Sequence, residues 1–127
     1  MIQRFLWICL GGAAGTALRY LIGVWALRTL GAGFPFGTLI VNLLGSFLIS
    51  GVMHVSLATE LVSPTVRVAL ATGFIGGLTT YSSFNYETTR LFEERAWVAG
   101  LINLTLTVVG CFLAGILGLA AAKRLFG

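Results

Sequence analysis

Four long apolar runs, joined by short polar links, take up almost all of this 127-residue chain and restrict its architecture more than any other feature. They lie at about residues 5–27, 36–58, 66–92 and 97–122. A helix of about 20 residues crosses a hydrocarbon core of about 30 Å, so each run has the length of one span. Only 9% of the residues are charged, too few to clothe a water-facing surface, for which soluble domains use about 25%. The sequence therefore predicts an all-α integral membrane protein in which residues 1–127 form a single domain of four transmembrane helices covered by lipid. The links at 28–35, 59–65 and 93–96 leave no room for a soluble domain, and Pro35 and Pro64 stand where a helix is about to begin. The opening MIQRFLWICLGGAAGTA has the order of a secretory signal, but its apolar pattern continues past Arg19 to Leu27, as a first span would.

Composition also removes several chemistries. The carboxylates are Glu60, Glu87, Glu93 and Glu94; there is no aspartate, and His54 is the sole histidine. That scarcity nearly excludes an aspartate-dependent triad or a multi-ligand metal site. Cys9 and Cys111 stand apart in apolar runs, as small hydrophobes do. The basic residues behind the net charge of +4 are scattered, so they mark the ends of spans and predict no nucleic-acid partner.

Four spans put both termini on one side. That side holds Arg4, Arg67, Lys123 and Arg124, and the other holds Arg28, Arg90 and Arg95. The near balance leaves insertion without a strong preference, and copies inserted both ways are able to pair as an antiparallel homodimer. Gly11 with Gly15, and Gly73 with Gly77, have the small-xxx-small spacing that lets membrane helices touch. Four helices, one of them interrupted, also make a thin wall for any pathway, which favours an oligomer.

The polar residues inside the spans are arranged. In the second, Thr38, Asn42, Ser46, Ser50 and His54 recur at i+4 and share one helix face; in the fourth, Asn103, Thr107 and Cys111 repeat the spacing. One such residue is ordinary helix glue, whereas five in register point to a lined path. His54, near the end of its span, reads as an interfacial or hydrogen-bonded residue more than as a proton relay. The third span contains GFIGGLTTYSSFNYE, residues 73–87. Gly76 and Gly77 weaken a helix there, and Thr79, Thr80, Ser82 and Ser83 offer the backbone competing bonds. The expectation is a helix broken at mid-membrane, whose freed carbonyls and amides face protein or water and are able to hold ions. Glu87 is the only acid within a span, which argues against a cation path. Hydroxyls, amides and ring edges suit a small anion instead. Arg19, costly inside a span, is expected where water enters, drawing anions in or pairing with Glu87.

With these blocks the chain resembles the Fluc or CrcB fluoride channels over its whole length, most specifically in GGAAGTALRY (residues 11–20), GTLIVNLLGSFLISG (37–51) and GFIGGLTTYSSFNYE. The resemblance implies a passive fluoride-selective channel that exports cytoplasmic fluoride and gives fluoride resistance. It implies an antiparallel dual-topology homodimer with two pores and a central structural sodium ion, in a prokaryotic plasma membrane, the inner membrane of a Gram-negative cell. By position, Gly76 and Thr79 would give backbone carbonyls to sodium. Asn42, Thr80, Tyr81, Ser82, Ser83, Phe84 and Thr107 would form the fluoride pathway, with Arg19 and Glu87 near its ends. Two positions depart from the family's habit: Tyr81 stands where phenylalanine is usual, and Ser83 where threonine is usual. Export needs no coupling, since a negative-inside potential expels an anion with about 2.3 kcal/mol per 100 mV, and no G-x-x-x-x-G-K-[ST] loop is present. Two rivals fit less well. A small four-helix multidrug exporter would need a carboxylate in the first span, and a non-transporting scaffold would not need polar stripes and a broken helix. An enzyme would lack a nucleophile, base and orienter.

Overall fold

A computed structural model describes all residues, 1–127, and is helical throughout. Helix α1 (Ile2–Leu30) ends at Gly31, whose φ of 88° is available to glycine at little cost and turns its N–H back onto the Leu27 carbonyl at 3.2 Å. Helix α2 (Phe36–Ala58) begins directly after Pro35. The third crossing starts with α3 (Pro64–Val68), where Ser63 Oγ accepts the Val66 N–H at 3.3 Å. It continues through a π-helical stretch (Ala69–Ile75) into a short α4 (Gly76–Leu78). Thr79 and Thr80 are extended, and α5 (Tyr81–Glu93) resumes the crossing. Helix α6 (Trp97–Phe126) closes the bundle.

Helices α1, α2 and α6 are each long and apolar enough to cross a membrane. The sequence placed the second span at the observed bounds, while the first and fourth run beyond their predicted ends to residues 2–30 and 97–126. At 1.5 Å per residue these two are about 45 Å long, so their ends extend past the hydrocarbon. The α5–α6 turn is tight: Arg95 has φ 60°, its N–H meets the Phe92 carbonyl at 3.0 Å, and the Ala96 N–H meets the Leu91 carbonyl at 2.8 Å. This closes the end of α5 in a Schellman pattern with a non-glycine residue at the left-handed position.

Glycine sets how closely the helices pack. A Cβ on Gly11 would lie 2.5 Å from the Ala69 carbonyl oxygen, one on Gly73 would lie 2.7 Å from that of Ile8, and one on Gly77 would lie 2.6 Å from that of Gly12. One on Gly15 would fall on the Phe74 carbonyl. The two small-xxx-small pairs therefore face each other, locking α1 against the first half of the third crossing by backbone contact. Helices α2 and α6 pack alike, with Gly118 against the Phe47 backbone and Gly115 beside Ser50. Only 18 of the 127 residues are buried, so the chain leaves most of its apolar surface for lipid or protein to cover.

Candidate functional site

The break in the third crossing falls within the expected stretch, at its threonines and not at its glycines. Gly76 and Gly77 stay helical, with φ −61° and ψ −36° at Gly76, and the chain leaves the helix at Thr79 and Thr80. Glycine costs a helix only about 1 kcal/mol, too little to end one held on both sides. What ends it comes from another helix. Asn42 of α2 is buried, and its side-chain amide pairs with Thr80 as a second peptide group would: Oδ1 accepts the Thr80 N–H at 2.8 Å, and Nδ2 donates to the Thr80 carbonyl at 3.0 Å. Thr80 also caps α5, its Oγ1 accepting the Ser83 N–H at 3.2 Å and donating to Ser83 Oγ at 3.0 Å. Thr79 Oγ1 turns back to the Ile75 carbonyl at 3.0 Å.

The carbonyls at the end of α4 lose their helical donors as a result, those of Gly76 and Thr79 among them. In a continuous helix the Thr80 N–H would donate to Gly76 O, and the Ser83 N–H to Thr79 O. Here these donors go to Asn42 Oδ1 and Thr80 Oγ1. Gly76 and Thr79 both line a groove of about 500 Å³ that also holds Asn42, Ser46, Tyr81, Phe84, Thr107 and Cys111. Tyr81 and Phe84 meet edge to face, ring centres 5.4 Å apart and planes at 69°. Phe84 is 3% exposed and Tyr81 76%, so one ring is fixed within the helix bundle while the other projects from it. Thr107 is buried with its Oγ1 unpartnered, which leaves a hydroxyl free at the groove.

The remaining predicted residues are sorted elsewhere. Thr80 and Ser83 line a second groove with Thr16, Arg19, Tyr20 and Thr38, on another side of the break from the rings. Ser82 is exposed, its Oγ 3.3 Å from Thr80 Oγ1. Glu87 opens on a third groove, with Arg90, Glu94 and the 31–38 segment. The expected pairing of Arg19 with Glu87 does not form: Glu87 Oε1 instead accepts the Thr38 hydroxyl at 2.8 Å, and its Oε2 is buried without a partner. The one ion pair in the chain is Arg90 with Glu94, 2.8 Å apart on the exposed end of α5. Arg19 is thus a cation beside hydroxyls, with no acid against it.

The polar stripe of α2 is real, and its first four members have separate tasks. Thr38 holds Glu87, Asn42 holds Thr80, Ser46 lines the groove and Ser50 packs beside Gly115. His54 keeps a buried, unpartnered Nε2. On α6, Asn103 Nδ2 donates to Thr88 Oγ1 at 2.8 Å, and Thr88 Oγ1 donates to the Phe84 carbonyl at 2.7 Å. Sequence reasoning put Asn103 in the polar row of the fourth span without giving it a role at the site, and it missed Thr88. The available signal was the i+4 spacing of Thr88 from Phe84, read only once the two helices are seen side by side.

Comparison with known proteins agrees over the full length. Among the relatives is a protein of Sorangium cellulosum (strain So ce56) named fluoride-specific ion channel FluC, 53% identical over 124 residues and 98% of each chain. Proteins of the same name from Anaeromyxobacter sp. (strain K) and Geobacter metallireducens (strain ATCC 53774 / DSM 7210 / GS-15) are 50% and 43% identical, covering 99% and 93% of this chain and 100% and 95% of theirs. The family model described as CrcB-like protein, Camphor Resistance (CrcB), matches residues 6–119. A break clamped by Asn42, rings set edge to face beside it and this match over nearly every residue give one conclusion: the chain belongs to the CrcB family.

Proposed function

We propose that this chain is the subunit of a passive, fluoride-selective ion channel, and that it is not an enzyme. The observation that carries the reading is the Asn42–Thr80 clamp, which holds the third crossing open at membrane depth beside hydroxyls and ring edges. Fluoride must shed water to pass, and the shed hydrogen bonds have to be replaced. Asn42 uses one of its two amide donors on Thr80 and keeps the other, Thr107 offers a free hydroxyl, and Tyr81 and Phe84 offer positive ring edges. No carboxylate lines this groove. Arg19 attracts anions to the neighbouring groove, where Thr80 and Ser83 supply hydroxyls, and Ser82 extends the row. Relatives named fluoride-specific ion channel support the choice of anion. Under a negative-inside potential such a pore exports fluoride without fuel, from a prokaryotic plasma membrane that the chain crosses several times.

The functional unit is an antiparallel homodimer with two pores. In support, α5 leaves Tyr81, Ser82, Asn85, Tyr86 and Thr89 exposed in a membrane-crossing segment, where lipid offers polar groups no partner. The groove is likewise open on one side, and the charges flanking the spans are nearly balanced. The Gly76 and Thr79 carbonyls fit sodium, a hard cation that takes neutral oxygen ligands. Two such oxygens per subunit would be completed by two from a second copy, and the bound charge would tie the two breaks together.

Fluoride efflux from liposomes carrying the purified protein tests this, with chloride as the comparison anion. Rapid fluoride release with little chloride release is expected; no release above empty liposomes, or equal chloride release, overturns the reading. Phe84→Ile removes a ring that is 3% exposed and should slow fluoride sharply while the dimer still elutes intact. Cysteine labelling from both membrane faces should find both orientations, and a single orientation would rule out the antiparallel arrangement.

A further inference from the structure

Helix α5 is half a helix, with no rigid continuation on the side of the break. A 13-residue segment of this kind is free to roll about its axis unless side chains stop it. Its rotation decides where the rings of Tyr81 and Phe84 point. The Asn42–Thr80 clamp holds the chain before its first turn, and the Thr38–Glu87 bond holds its later part against α2. Neither ties α5 to α6, the other wall of the groove that Phe84 lines.

At the far end α5 is tied to α6 by the turn at residues 94–96 and by Phe92 against Trp97 and Gly100; nearer the rings the tie is the chain of bonds from Asn103 to Thr88 to the Phe84 carbonyl. Asn103 is 1% exposed and Thr88 6%, so both are sealed from solvent within the subunit. Thr88 Oγ1 accepts from Asn103 Nδ2 at 2.8 Å and passes its own hydrogen to Phe84 O at 2.7 Å, which fully orients the hydroxyl. The last bond ends on the backbone of the ring-bearing residue itself. A threonine back-bonded to its i−4 carbonyl tilts that carbonyl and bends the helix slightly. In hydrocarbon the alternative is an unpaired buried amide, so the brace has no inexpensive way to open.

We propose that Asn103 and Thr88 are positioning residues for fluoride permeation, fixing the rotation of α5 so that the Phe84 ring edge is presented to the anion. The inference rests on the channel reading above. It differs from ordinary helix glue in one measurable way. Glue affects how much assembled protein survives, whereas a misplaced ring changes how fluoride binds in every channel that does survive.

The test measures fluoride flux at graded fluoride concentrations, in liposomes loaded with the dimeric fraction of the wild type, Thr88→Val, Asn103→Leu, their double variant and Thr88→Ser. Thr88→Val and Asn103→Leu should each raise the half-saturating fluoride concentration about fivefold, the worth of one neutral hydrogen bond. The double variant should be no worse than the more affected single one, because either change breaks the same chain of bonds. Thr88→Ser keeps the hydroxyl and should restore the wild-type value. An unchanged half-saturating concentration in both single variants, with only the yield of dimer reduced, overturns the proposal, as do additive effects or a failed rescue by serine. A wild type that releases no fluoride overturns the channel reading itself and the positioning role with it.

Discussion

Helix α2 and the third crossing both carry polar residues at membrane depth, yet α2 is continuous over 23 residues while the third crossing breaks at Thr79 and Thr80. Polarity within a span is therefore not what interrupts a helix. In α2 the side chains reach outward, to Glu87 and Thr80, and the backbone keeps its own ladder. In the third crossing the backbone N–H of Thr80 is taken by a side chain of another helix, and the ladder stops there. The unbroken helix is the tool that holds the broken one open. A break of this kind belongs to a pair of helices, and changing either should change both.

The largest expected effect follows from removing that tool. Asn42→Leu leaves a buried N–H and a buried C=O of Thr80 without partners, which at about 1–3 kcal/mol each is a loss of roughly 2–6 kcal/mol. Thermal unfolding in detergent should register the loss, and fluoride release should disappear; a stable, conducting variant would mean that the break does not depend on α2. Next comes Gly15→Ala, whose added methyl would overlap the Phe74 carbonyl and prise α1 from the first half of the crossing. Overpacking of this kind costs about 1–3 kcal/mol, read as a lower unfolding temperature. Thr80→Val keeps the shape but removes the cap of α5, for a loss of about 1 kcal/mol and a measurable slowing of flux. Ser46→Ala is the control on the continuous helix. Its hydroxyl makes no hydrogen bond that α2 needs, so stability should stay within about 0.5 kcal/mol, and a larger loss would mean that the stripe stabilises α2 as well as lining the groove.

Much of this was legible in the residues. The apolar runs placed the helices because hydrocarbon tolerates no unpaired backbone, while span length alone left the ends of the first and fourth short of where they lie. The glycine pairs at 11 and 15 and at 73 and 77 announced a close approach, since only a missing side chain allows one. The i+4 stripe gave the right face of α2. What it did not give was the division of labour along that face, because spacing says which residues share a side and not what stands opposite. Arg19 and Glu87 show this best: opposite charges in a poor solvent invite a pairing, but α2 places the Thr38 hydroxyl against Glu87 instead. The π-helical stretch at Ala69–Ile75 had no sequence signal at all.

By itself, then, the sequence determined the apolar medium, the four helical segments, the one that breaks and the anion-friendly chemistry gathered near it. These follow from composition and period, which act through local rules. Only the tertiary structure decided that the break falls at the threonines and not at the glycines, that Asn42 holds it and that Thr88 and Asn103 brace the ring beside it. The reason is physical: a helix in hydrocarbon gives up a backbone bond only where another group replaces it, and here that group lies 38 residues away on a different helix.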